Sequence, residues 1–298
     1  MSWRLWMIFL VLCVFWGIPY FFIKLALEDL SPACVAWTRI TLAAAVLVPI
    51  AWKRGVLLPA LRHKGAVAAF AFAELVIPFP LVSLAETWIS SSLTGVLIAA
   101  APLMVVALAP LFGIRESFGV RRSLGLLIGF VGVMALLGID TSGGSNQWLG
   151  VACVIVATVG YVVGPLIVQK HLTDVDELGA LAGSLLVASV ALLPLAVFTA
   201  PTRVPSATSL GSIFILGSIC TAAALLLYFY LISNAGATRA SIVAYVCPAV
   251  AAVLGVLVLN ERFSTGMVAA FVLILIGSWM ATQSARAVDT TSFESNTT

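Results

Sequence analysis

The sequence predicts an all-α integral membrane protein, a bundle of ten transmembrane helices arranged as two inverted five-helix repeats. Three observations carry this expectation: the composition, a succession of apolar runs of span length, and a likeness between the two halves of the chain. Of 298 residues, 62% are hydrophobic and 9% charged, and the mean hydropathy is +1.17. Soluble domains have ~45–50% apolar and ~25% charged residues. A chain of this size cannot hide so much apolar surface in its own core, so lipid is its solvent. The net charge is only +3, and no dense basic face suggests nucleic acid. The cysteines Cys13, Cys34, Cys153, Cys220 and Cys247 are scattered, mostly inside apolar runs, with no metal spacing, and read as small packing residues.

A helix needs ~20 apolar residues to cross a bilayer. Such runs fall at about 5–26, 33–52, 66–84, 91–112, 122–139, 148–168, 178–199, 210–232, 239–258 and 265–283. They are continuously apolar, whereas barrel strands are ~10 residues long and alternate. Backbone in lipid must satisfy its own hydrogen bonds, which leaves helix as the conformation.

The first run follows Arg4, exceeds a ~7–15-residue signal-peptide core and lacks a small-residue cleavage site, so it reads as a retained span. It carries Trp16 and Tyr20, with Lys24 toward its outer end, and closes in the turn Glu28-Asp29-Leu30-Ser31-Pro32. The second carries Arg39, also toward the outer side. The third holds Glu74, about eight residues or ~12 Å in, near the midplane. Pro78 and Pro80 follow it and free backbone carbonyls, and Glu86 sits at the outer end as an interfacial charge. Ser90 to Ser92 start the fourth run, which contains Pro102. Gly125-x-x-x-Gly129 in the fifth suits close packing within the monomer or a homodimer contact. Tyr161 lies in the sixth, Tyr228 and Tyr230 in the eighth, and Tyr245 and Pro248 in the ninth. Trp3, Trp6, Trp52, Trp88 and Trp148 have the positions of an interface belt. The polar tail, 284–298, is expected to be disordered.

With the N-terminus in the cytoplasm, eleven of the 15 basic residues fall on the inner side, while Lys24, Arg39, Arg203 and Arg262 fall toward the outer side. Ten spans then put both termini inside. The fourth run, Leu93 to Pro102, leads to Arg115-Glu116. The ninth, Arg239 to Pro248, leads to Glu261-Arg262. A mid-span proline followed by an acidic-basic pair thus occurs twice, which sets the repeats at 1–140 and 148–283. Homologous halves with an odd number of spans must have opposite orientations, as in many secondary transporters.

These stretches resemble the EamA-type transporters of the drug/metabolite transporter superfamily. The likeness lies in Trp16-Gly17 to Lys24-Leu25-Ala26-Leu27, Arg39, Ser90-Ser91-Ser92-Leu93 to Pro102, Arg115-Glu116 and Asn260-Glu261-Arg262-Phe263. It spans nearly the whole chain except the tail. The second half departs from it, with Gly160-Tyr161 where a Trp-Gly would stand. The resemblance implies alternating-access movement of small metabolites, often export, across a prokaryotic cell (inner) membrane, and names no substrate.

Candidate substrate-binding residues are Trp16, Tyr20, Lys24, Glu74, Pro102, Tyr161, Tyr228, Tyr245 and Pro248. Lys24, Arg39 and Glu86 are candidate gate or rim charges. Glu74 suits a proton carrier, a substrate-amine contact or a hydrogen-bonded packing acid, because a charge at mid-bilayer costs ~2.5–3.5 kcal/mol and must face the bundle interior. No P-loop, HExxH or nucleophile-base pair is found, so no catalytic residue, metal or cofactor is expected. The expected partners are a small-molecule substrate, the lipid bilayer and protons. A secondary transporter, an exporter of amino acids or related amphipathic compounds, is the leading expectation. An intramembrane enzyme and a channel-like or scaffold component are the alternatives.

Overall fold

The computed structural model describes residues 2–108, 120–139, 146–235, 243–259 and 265–283. These are helices joined by short turns, with no strand among the described residues. In chain order, α1 comprises Trp3–Gly17 and Pro19–Ala26, bent at Ile18. Next come α2 (Pro32–Lys53), a short surface helix (Leu57–Arg62), and α3, built from Lys64–Ala71, Phe72–Val76 and Pro78–Ala85. Then follow α4 (Ser91–Ile98 and Ala101–Leu108), α5 (Val120–Ile139), α6 (Gln147–His171) and α7 (Glu177–Phe198). The last are α8 (Ala207–Phe214, Ile215–Ala223 and Ala224–Ala235), α9 (Val243–Leu257) and α10 (Thr265–Gln283). Six of them, α1, α2, α3, α6, α7 and α8, have apolar stretches of 22 to 25 residues and are long enough to cross a membrane. The described apolar stretches of α4, α5, α9 and α10 are shorter, at 10–17 residues. The expected count of ten spans therefore rests on these four as well. The Arg115-Glu116 and Asn260 to Phe263 turns and the tail lie outside the described residues.

Helix starts follow side-chain capping. Ser90 Oγ accepts from Leu93 N at 3.1 Å, as its position predicts, and Ser31 does the same for Cys34 N at 3.2 Å. Asp176 Oδ1 accepts from Leu178 N and Gly179 N at the start of α7. Each cap satisfies N–H groups that have no partner inside the helix.

The two mid-span prolines behave differently. Pro102 interrupts α4, whose first segment ends at Ile98, the residue whose carbonyl a proline at 102 displaces. Pro248 is carried inside a continuous α9. Two helices contain wide, π-type turns instead, Phe72–Val76 in α3 and Ile215–Ala223 in α8. In α3 the Ile77 N–H reaches back to the Phe72 carbonyl, and Pro78 deprives the Glu74 carbonyl of its usual donor. In α8 the Thr221 hydroxyl donates to the Leu216 carbonyl at 2.8 Å, filling the widened turn.

Packing is dominated by contacts between early and late helices. α2 lies on α7, α4 on α9 and α5 on α10. α3 packs on α6 as α1 packs on α8, and α2 packs on α8 as α7 packs on α3. The α5–α10 pair packs on glycines. A Cβ at Gly125 would stand 2.6 Å from Ala281 N, and one at Gly277 would stand 2.6 Å from Gly125 O. The Gly125-x-x-x-Gly129 face is thus consumed inside the chain, and the homodimer alternative loses its motif.

Large apolar side chains on the outside, such as Leu127, Phe130, Val190 and Phe198, have lipid as their natural contact. Trp3, Trp52 and Trp148 are largely exposed, as a belt requires, whereas Trp88 packs against the core formed by Leu93, Leu97 and Ile274. Four of the cysteines are buried and all five are free thiols.

Candidate functional site

The site is built where helices of the two halves meet. On the α1–α8 seam, Trp16 and Tyr228 place their ring centroids 4.8 Å apart. On the α3–α6 seam, Phe79 and Tyr161 meet edge-on at 6.5 Å. Between these seams stand Tyr20, Arg39, Glu74 and Tyr161, from α1, α2, α3 and α6. Each is half-buried.

Arg39 departs from its expected place at the rim. It lies seven residues, or ~10 Å, into α2. Its Nε donates to Thr221 Oγ1 at 2.8 Å, and its guanidinium carbon sits 4.3 Å from the Phe79 ring centroid. Cation–π contact and the hydroxyl together fix the orientation of the group.

Glu74 sits in the wide turn of α3, where the sequence placed an interior acid. It lies against Gly164 of α6, which has no side chain to keep it away. Its Oε2 is sealed and has no hydrogen-bond partner among the described residues. A buried polar atom left unsatisfied costs ~1–3 kcal/mol, which makes the packing-acid alternative the least economical use of this residue.

Lys24, a candidate gate or rim charge, makes its contacts with backbone carbonyls. Lys24 Nζ donates to the Glu86 backbone carbonyl at 2.6 Å and the Ile89 carbonyl at 3.4 Å. Carbonyls at the end of α3 lack helical partners and supply ready acceptors for a cation. Glu86, expected at the interface, is fully buried, with Ser91 Oγ 3.0 Å from its Oε2. The acid is turned inward because the start of α4 offers it a hydroxyl donor. Pro102 and Pro248 shape their helices as described above, and the side chain of Tyr245 lies outside the described set.

Three residues at the site were absent from the sequence candidates. Phe79 and Thr221 looked like ordinary span residues. The available signals were a hydroxyl in the apolar run of α8 and an aromatic five residues beyond Glu74. Gly160 also matters, since its backbone touches the α3 turn.

On the outer rim expected from the sequence, the α1–α2 and α7–α8 turns are stapled. Asp29 Oδ2 accepts from Ser206 N at 2.8 Å and Ser209 Oγ at 2.7 Å, and Ser31 Oγ donates to Thr199 Oγ1 at 2.9 Å. The Ser206 and Ser209 hydrogen bonds hold the Asp29 carboxyl below the usual carboxylate range. A shallow depression of about 460 Å³ between Glu28, Asp29 and Ala200 to Val204 lies beside this staple, away from the interior aromatics.

Comparison with known proteins places the chain by family and fold. The EamA-like transporter family model matches twice, over residues 3–138 and 148–283. The "Uncharacterized inner membrane transporter YedA" of Escherichia coli is 28% identical over 287 residues, covering 90% of each chain. An "Uncharacterized transporter" of Archaeoglobus fulgidus is 25% identical, over 92% of this chain and 97% of its own. Protein PagO of Salmonella typhimurium is 25% identical, over 92% and 91% respectively. A crystal structure at 19% identity superposes with a TM-score of 0.68, over 96% of this chain and 99% of its own, a likeness of fold. Two family matches that together cover nearly all of the described helices leave one assignment: the chain belongs to the EamA-like transporter family.

Proposed function

We propose that this multi-pass membrane protein is a secondary transporter that exports small amphipathic metabolites, such as amino acids and related compounds, by alternating access. In this proposal all ten apolar helices cross the membrane, both termini are cytoplasmic, and residues 1–140 and 148–283 form two inverted repeats. The substrate sits between the repeats, and rocking of one against the other exposes it to each side in turn. Glu74 carries a proton or meets a substrate amine during the cycle.

The observation that carries the proposal is the group of Tyr20, Arg39, Glu74 and Tyr161, half-buried side chains contributed by both halves, in which the Arg39 Nη nitrogens have no hydrogen-bond partner among the described residues. The packing supports it. Exchanging α1 with α6, α2 with α7 and α3 with α8 turns the α3–α6 contact into α8–α1, and the α2–α8 contact into α7–α3. The wide turns fall in α3 and α8, which this exchange also relates. The double family match supports the division into halves.

The test is comparative export of labelled metabolites from cells with and without the chain, repeated after collapse of the proton gradient. Chain-dependent, saturable export that weakens on collapse is expected. Chemical conversion of a compound without its movement would defeat the proposal.

A further inference from the structure

We infer that the site holds an amphipathic substrate by a single carboxylate, in a fork presented by Arg39, an inference that rests on the transporter proposal above. The guanidinium is held on two sides and open on the third. Its Nε edge is tied to Thr221 Oγ1 at 2.8 Å. That hydroxyl spends its own proton on the Leu216 carbonyl, also at 2.8 Å, and so acts toward Arg39 only as an acceptor. Its central carbon lies over the Phe79 ring, 4.3 Å from the centroid. The two Nη nitrogens have no hydrogen-bond partner among the described residues, and neither is sealed off by protein. Their N–H groups are therefore left to a further acceptor.

Among the described residues Arg39 forms no ion pair, with Glu74 or any other acid. A cation withdrawn from water without a counter-ion is costly, and the cost falls when an anion completes the site. A guanidinium with a fixed plane and a free Nη edge matches the two oxygens of a carboxylate. The charge balance favours one negative charge over two. Lys24 is engaged with the Glu86 and Ile89 carbonyls, and Glu74 lies near Tyr161 as Arg39 does, so a dianion would meet one cation and one acid. The rings of Tyr20, Phe79 and Tyr161 offer an apolar bed for the rest of the molecule.

The test is counterflow exchange by the full chain in proteoliposomes. The carboxylate probes are L-phenylalanine, L-leucine and 3-phenylpropionate; the comparison probes are their primary amides and phenyl phosphate. At least one carboxylate should exchange saturably, with its amide and phenyl phosphate failing to compete. Arg39→Lys keeps the charge but loses the planar fork, and should raise the half-saturating concentration at least ~tenfold. Thr221→Val leaves the arginine in place but frees its Nε edge, and should weaken the same carboxylate several-fold. It serves as the test if the Arg39 variant fails to fold. Equal exchange of acid and amide, preference for phenyl phosphate, or affinity within twofold of wild type in the folded variants would overturn the fork. Exchange confined to compounds without a carboxylate, in these probes or the export screen, overturns it too and leaves the transporter proposal standing. No exchange of any compound in either assay overturns both.

Discussion

Two glycines one turn apart on α6 should respond oppositely to the same added methyl group. At Gly160 a Cβ would stand 2.7 Å from Pro78 Cγ and closer still to the Ala73 carbonyl oxygen. Comfortable carbon contact is ~3.5–4.0 Å, so α6 must retreat from α3 by about 1 Å. The obstacle is backbone in a turn closed by a proline, and it cannot step aside. Overpacking of this kind costs ~1–3 kcal/mol, and the better helix propensity of alanine returns ~1 kcal/mol. Gly160→Ala should therefore destabilise by up to ~2 kcal/mol. At Gly164 the methyl meets Glu74, with its Cβ at 3.2 Å, its Cδ at 3.3 Å and Oε2 nearer. The end of a side chain can move. A rotamer adjustment costs ~0.5–1.5 kcal/mol, which the propensity gain of ~1 kcal/mol roughly cancels. Gly164→Ala should melt like wild type while displacing the carboxyl group. Gly211→Ala, with open space at its Cβ, is the control and should be neutral or stabilising. Thermal unfolding in detergent, followed by fluorescence-detected size exclusion, ranks the three. Transport against pH reads the Glu74 displacement. Gly160→Ala melting level with Gly164→Ala would show that the α3–α6 seam is looser than described. Unchanged transport and pH profile in Gly164→Ala would remove the carboxyl position from the mechanism.

Further expectations concern the acids and the topology. Glu74→Gln should abolish transport or its pH dependence at unchanged expression, and pH-dependent flux like wild type would exclude Glu74 as the proton carrier. Asp29 has its folded-state pKa held below its ordinary value of 3.8, so its stabilising effect is present above that value and lost as pH falls through the folded pKa. The difference in melting temperature between wild type and Asp29→Asn should therefore shrink on acidification, and a constant difference would argue against the rim hydrogen bonds. A reporter fused after Thr298 should read as cytoplasmic, and an external signal would break the proposed orientation.

The helices were legible because lipid leaves an apolar run one conformation. The start at Ser90 was legible too, since a hydroxyl before an apolar run has one obvious use. Depth and partner were harder. Arg39 looked like a rim residue when counted from the outer end of its own span. Its depth follows from Thr221 and Phe79, on helices distant in the chain, which a single span does not reveal. Lys24 read as a rim charge, and unpaired carbonyls at a helix end serve an ammonium group well. The wide turn of α3 had a partial signal in Pro78. That of α8 had none beyond Thr221, because π-type turns arise from tertiary fit as much as from composition. Pro102 and Pro248 looked equivalent, and only packing distinguishes a proline that interrupts a helix from one that is tolerated.

The wide turns of α3 and α8 differ in how freely they can travel. A widened turn moves along a helix when successive N–H groups exchange one carbonyl for its neighbour. Pro78 has no N–H to exchange, so the turn at Phe72–Val76 is anchored at its far edge and Glu74 keeps a fixed address. The nine-residue turn Ile215–Ala223 contains no proline. Every residue there keeps its N–H, so the turn that carries Thr221 lacks the anchor that Pro78 gives to the turn of Glu74.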